Sequence, residues 1–233
     1  MNMQITKAIF IKQMKDTLKN KSILIQFLMF PIISVILTMS VSISEIPSTY
    51  FVILFATMYV GMAPIIVLSN IIAEEKENGS LRMLMMSNVK PFEYIFGVSC
   101  FVMIVCVLGL FVMGITGGYQ GISLVYFVCI CSIGMLISIL MGSIIGLYAK
   151  NQMTANSLSV PAMLICSFVP MLSMFNQYIK DFGQIIYTQQ INELLTTIPF
   201  TTFPTKSLLI ILANFIILFI LYIRMFGKRK LIS

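Results

Sequence analysis

The side chains best placed to do chemistry cluster in one stretch, Glu74-Glu75-Lys76-Glu77-Asn78-Gly79-Ser80-Leu81-Arg82-Met83-Leu84, followed by Pro91 and Gly97. With Glu93, the segment 73–93 holds four of the chain's eight acidic residues. Neighbouring carboxylates can move protons, hold a metal or pair with the cations of a partner. The chain has no histidine, which excludes Ser-His-Asp and Cys-His nucleophile systems and histidine-ligated zinc. No Gly-x-x-x-x-Gly-Lys-[Ser/Thr] occurs, so the chain has no loop of that kind to cradle a nucleotide's phosphates. Two readings of the stretch remain. Acids, a glycine and a short Leu-x-x-Leu turn of helix form a polar elbow with apolar teeth for docking. Alternatively, the stretch is a solvated connector, charged because it lies outside a membrane.

The five cysteines, Cys100, Cys106, Cys129, Cys131 and Cys166, lie inside apolar windows, and their odd number argues against a disulfide framework. Cys129 and Cys131 have no second ligand pair at metal-site spacing and read as small apolar packing residues. No catalytic, cofactor-binding or metal-binding residue is assigned.

The elements that must position the acidic stretch are apolar. Of 233 residues, 59% are hydrophobic and 10% charged, and the mean hydropathy is +1.00. Soluble domains carry about 25% charged residues, so most of this surface must face lipid. A bilayer core takes about 20 apolar residues per helix. Six windows qualify, at about 22–44, 50–72, 94–116, 122–148, 158–175 and 207–223. The fifth is the weakest, diluted by Pro161, Pro170 and three serines. Prolines at 31, 64, 161 and 170 each remove a backbone donor and predict kinks.

Residues 1–21 read as a retained interfacial helix rather than a signal peptide, with Met3, Phe10, Ile11, Met14 and Leu18 on an apolar face and Lys12, Lys15, Asp16 and Lys19 opposite. Ile5, Lys7 and Ile9 do not fit that pattern. With both termini inside, 13 of the 15 basic residues fall on the inner side and only Lys180 and Lys206 outside, as the positive-inside rule requires. Residues 227–233 form a basic cytoplasmic tail. The basic blocks face an anionic leaflet, and no nucleic-acid partner is implied.

Gly134, Ser138, Gly142 and Gly146 recur every four residues. They suit close helix approach, either within the subunit or at a dimer seam. The stretch 176–205 is too long for a tight turn and carries Phe182, Ile185, Ile186, Tyr187, Leu194, Leu195, Ile198 and Phe200.

An acidic cluster ending in Glu-x-Gly-Ser-Leu-x-x-Leu, then Pro and Gly, between the second and third of six spans behind a basic N-terminal helix resembles the permease subunit of ABC-2 type transporters. The family often has Thr where this chain has Ser80. The resemblance covers the layout of the whole chain but only this loop in residues. It implies an all-α integral membrane protein of six spans with an interfacial helix, in the ABC-2, type V exporter-like architecture. It implies that 73–93 forms a coupling helix docked in a cytoplasmic P-loop ATPase present in two copies, with Glu74, Glu75, Glu77, Gly79, Leu81, Arg82 and Leu84 as coupling residues. ATP and Mg would then sit on that partner, and a second permease chain, identical or related, would pair with this one. Residues 176–205 would be short helices dipping back to cap the path, where the residues alone also allow a loop lying on the head groups.

No Asp, Glu, Lys or Arg lies near the centre of any window. A path for protons or metal ions usually needs one, so a hydrophobic or amphipathic cargo such as a peptide, drug or lipid is expected, exported across the plasma membrane. Two other classes compete. One is an intramembrane enzyme, for which the prenyl-processing proteases combine acids with the histidine this chain lacks. The other is a non-transporting immunity or sensor protein.

Overall fold

In the computed structural model, which describes residues 3–40, 47, 49–87, 89–198 and 204–228, the chain is helical, with no strand among the described residues. In order the helices are α1 Met3–Lys19, α2 Lys21–Ser40, α3 Thr49–Glu77, α4 Ser80–Met86, α5 Pro91–Thr116, α6 Ile122–Tyr148, α7 Gln152–Ser173, α8 Gln177–Gly183, α9 Tyr187–Thr196 and α10 Thr205–Lys228. Six of them, α2, α3, α5, α6, α7 and α10, are long and apolar enough to cross a membrane. The chain is an all-α, multi-pass membrane protein.

The boundaries move where capping chemistry outranks hydropathy. The second window ends at residue 72, yet α3 continues through the acids to Glu77. The fifth starts at Gln152 rather than 158, because the Asn151 side chain accepts the Thr154 N–H and opens the helix. Pro91 occupies the first position of α5, and the Glu93 carboxylate accepts the Lys90 N–H at 3.2 Å. α2, α3 and α7 each continue through their prolines. Residues 41–44 of the first window, Phe200 and residues 229–233 of the basic tail lie outside the described residues.

α3 is the axis of the bundle. Every residue from Ala56 to Gly61 and from Ala63 to Ala73 is buried, against α6 and α7 and beside α2 and α5. The small-residue row of α6 makes this possible. A Cβ at Gly142 would lie 2.9 Å from the Ile65 carbonyl oxygen and 3.0 Å from that of Pro64, and one at Gly134 would meet Val60 at 2.7 Å. Ser138, in the same row, donates to the Val60 carbonyl at 2.5 Å. The row therefore packs within the chain. α10 is the opposite case, apolar and mostly exposed along its length, as a helix facing lipid would be.

Candidate functional site

The acidic stretch sits where α1, α3, α4 and the starts of α5 and α7 converge at one end of the bundle. It is built around a chain reversal. α3 closes with Asn78 N–H on the Glu74 carbonyl and Gly79 N–H on the Lys76 carbonyl. Gly79 then takes φ +68°, and a Cβ there would meet nothing within 4 Å. Only the left-handed backbone demands glycine, since that region costs L residues about 1–2 kcal/mol. The Ser80 hydroxyl donates to the Glu75 carbonyl, and α4 begins.

Glu75 does not face outward as a docking acid. It is buried, 6% exposed, and its Oε1 accepts from Lys12 Nζ at 2.5 Å and from Gln13 Nε2. Lys12 also pairs with Asp16 at 3.4 Å. Burial lowers the Lys12 pKa, but the hydrogen bond and charge of Glu75, helped by Asp16, outweigh it and leave the ammonium above its ordinary value. The Tyr94 hydroxyl, fully buried, lies close enough to Glu75 to couple to it electrostatically.

The next two charges are fasteners as well. Lys76 Nζ donates to the carbonyls of Gly146, Leu147 and Ala149 at 3.0, 2.6 and 3.1 Å, satisfying the C-terminal end of α6. Glu77 is exposed, and its Oε2 accepts the Gln152 N–H at 3.0 Å, at the first turn of α7. Consecutive residues of α3 thus tie it to α1, α6 and α7.

Of the remaining sequence-derived residues, Leu81 is 1% exposed and belongs to the core, so this tooth bites inward. Leu84 is half-buried against the same core, and Glu74 is half-buried in a cleft beside α1. Arg82 is exposed. The apolar groups that α4 presents outward are Met83 and Met86, 63% and 77% exposed, rather than the two leucines.

α1 carries two apolar-containing faces where the sequence suggested one. Met3, Ile11, Met14 and Leu18 are exposed together, Lys15 is exposed, and Phe10 turns partly inward to meet Phe101 edge-on at 5.7 Å. The protein-facing row is Ile9, Gln13 and Thr17. It fits because Gly97 of α5 leaves room for Ile9, whose Cγ2 lies 2.9 Å from where a Cβ would stand. Lys12 therefore belongs to the packed side, not to a free polar face. Sequence reading missed Gln13, Thr17 and Lys76. The i, i+4 spacing of 9, 13 and 17, with Ile9 off the apolar face, was the available signal for the first two.

At the other end of the bundle, α8 and α9 fold from the 176–205 stretch. α9 is polar yet almost wholly buried: Thr188, Gln189, Gln190 and Asn192 are each under a tenth exposed. The Tyr187 hydroxyl bonds that of Ser138 at 2.6 Å, Gln189 Oε1 accepts from Ser173 at 2.8 Å, and Gln190 donates to the Gln184 carbonyl at 2.8 Å.

No protein-family model matches the chain, and no curated protein matches it.

Proposed function

We propose that the chain is the membrane-spanning permease subunit of an ATP-driven, ABC-2 type exporter that moves a hydrophobic or amphipathic cargo with a separate P-loop ATPase docked on α4. The observation that carries this reading is mechanical. A seven-residue helix exposing Arg82, Met83 and Met86 is joined by one tight turn to α3. The last turns of α3 are in turn bonded to α1, α6 and α7. A push on α4 therefore reaches helices that span the bundle without passing through a flexible linker, as coupling between a nucleotide cycle and a membrane path requires. The absence of a P-loop from the sequence and the basic excess at this end support a cytoplasmic ATPase as the source of that push. In this reading both termini are cytoplasmic, and α8 and α9 cap the path outside.

The test is association. Affinity purification of the full chain from native membranes is expected to bring down a P-loop ATPase. Arg82→Glu together with Met86→Asp alters only exposed side chains, so the protein should still insert while ATPase recovery falls about tenfold or more, as expected when a central interface anchor is lost. Asp181→Lys, exposed at the opposite end, should leave recovery unchanged. Recovery of no ATPase with the unaltered chain, or equal recovery with the double variant, overturns the reading.

A further inference from the structure

Between α1, the first turn of α2 and the last turn of α3 lies a cleft of about 600 Å³, lined by Thr17, Lys19, Lys21, Glu74 and Glu75 among others. Its charges are only partly used. Lys12 is taken by Glu75 and Asp16, whereas Lys19 and Lys21 are exposed and Glu74 half-buried, with no ion pair among them. Thr17 is 6% exposed, lines the cleft, and its hydroxyl has no hydrogen-bond partner. Glu75, also lining it, is already committed through Oε1 to Lys12 and Gln13. Burying a hydroxyl without a partner is costly, so the cleft is incomplete as the protein alone makes it.

Its position limits what completes it. The cleft opens where α1 ends and the spanning helix α2 begins, and the same two helices expose apolar side chains within a few residues of its lining, Leu18 at 67% and Ile25 at 60%. That is the depth of lipid head groups, with acyl chains able to run along α2.

We propose that this cleft binds the head group of a phospholipid that carries both a phosphate and a primary ammonium, an aminophospholipid of the leaflet at the α1 end. Lys19 and Lys21 take the phosphate, with the Thr17 hydroxyl behind them, and Glu74 takes the ammonium. A choline head group offers Glu74 no N–H donor. A purely anionic head group leaves Glu74 facing negative charge. The inference rests only on the chain spanning a membrane, not on transport.

Native mass spectrometry of the full chain in detergent with equimolar phosphatidylethanolamine, phosphatidylcholine and phosphatidylglycerol reads the outcome. Phosphatidylethanolamine should be retained about tenfold over either competitor, and Lys19→Gln with Lys21→Gln should reduce that retention about tenfold. Lys19→Arg with Lys21→Arg, which keeps the charge, should retain it. Glu74→Gln should still hold lipid but erase the preference for ethanolamine over choline. The same thermal midpoint in all variants separates lost binding from lost fold. Equal retention of the three lipids by the unaltered chain, a preference for phosphatidylglycerol, or normal ethanolamine retention by the glutamine pair overturns the proposal.

Discussion

The two ends of the bundle are held by different chemistry. At the elbow end the fasteners are ionic: Glu75 to Lys12, Lys76 to the carbonyls closing α6, and Glu77 to the first turn of α7. At the far end α9 is seated by neutral groups: Tyr187 on Ser138, Gln189 on Ser173, and Asn192 near Thr57 at 3.5 Å. The ionic contacts lie at the margin of the apolar region, where water can reach the exposed flanks and the cost of desolvating a charge is lower. Deeper contacts must be made by hydroxyls and amides, since an ion there has to overcome a larger penalty. The result is an end whose strength depends on charge and an end whose strength depends on packing.

Removing the largest anchor at each end should break both, but through different terms. Tyr187→Ala deletes a side chain that is 1% exposed and should cost about 3–5 kcal/mol, in the range of large-to-small core changes. Tyr187→Phe should cost only about 1 kcal/mol, because Ser138 keeps the Val60 carbonyl. Thermal unfolding in detergent measures both, and near-equal losses would mean that the hydroxyl, not the ring, holds α9.

Glu75→Ala should cost about 2–4 kcal/mol, somewhat below a fully buried pair, because Lys12 keeps a path to water. The pH dependence gives this end its signature. A Lys with a raised folded pKa contributes stability that is fully present below its unfolded pKa, about 10.4, and is lost as pH rises through the folded value. The coupling of Lys12→Met with Glu75→Ala in a double-mutant cycle should therefore stay constant from about pH 7 to 9 and decline above about 10.4. The corresponding cycle of Tyr187→Phe with Ser138→Ala should stay flat from about pH 7 to 9. A Lys12–Glu75 coupling that already weakens between pH 7 and 9 would contradict the assigned contact.

The smallest expected effect is at the turn. Gly79→Ala should cost about 1–2 kcal/mol from backbone strain alone, as no atom crowds the position. Gly79→Asn should cost less, because Asn tolerates the left-handed region better. Limited proteolysis near residues 78–80 reports the difference. Equal damage from both would point to a steric demand.

Much of the architecture was legible in the sequence because lipid imposes a coarse rule. Long uncharged windows mark helices, so six of them were counted, and Ile122–Tyr148 was bounded to the residue. The elbow at Gly79 was also readable, from a glycine set between acids and a Leu-x-x-Leu turn. The side to which each charged residue turns was not. Glu74, Glu75 and Glu77 are near neighbours of one composition, yet one borders a cleft, one is buried against Lys12 and Gln13, and one caps another helix.

Sequence alone determined that this chain is helical, lipid-facing and unable to use histidine chemistry, since those properties depend on composition summed over windows. Tertiary structure decided that the small-residue row of α6 closes on α3, that α1 turns Gln13 and Thr17 inward, and that the polar helix α9 is buried. Each of these depends on which partner a face meets. On a helix of 3.6 residues per turn, about 100° of rotation per residue separates a buried fastener from an exposed contact, and only packing against the neighbouring helices fixes that angle.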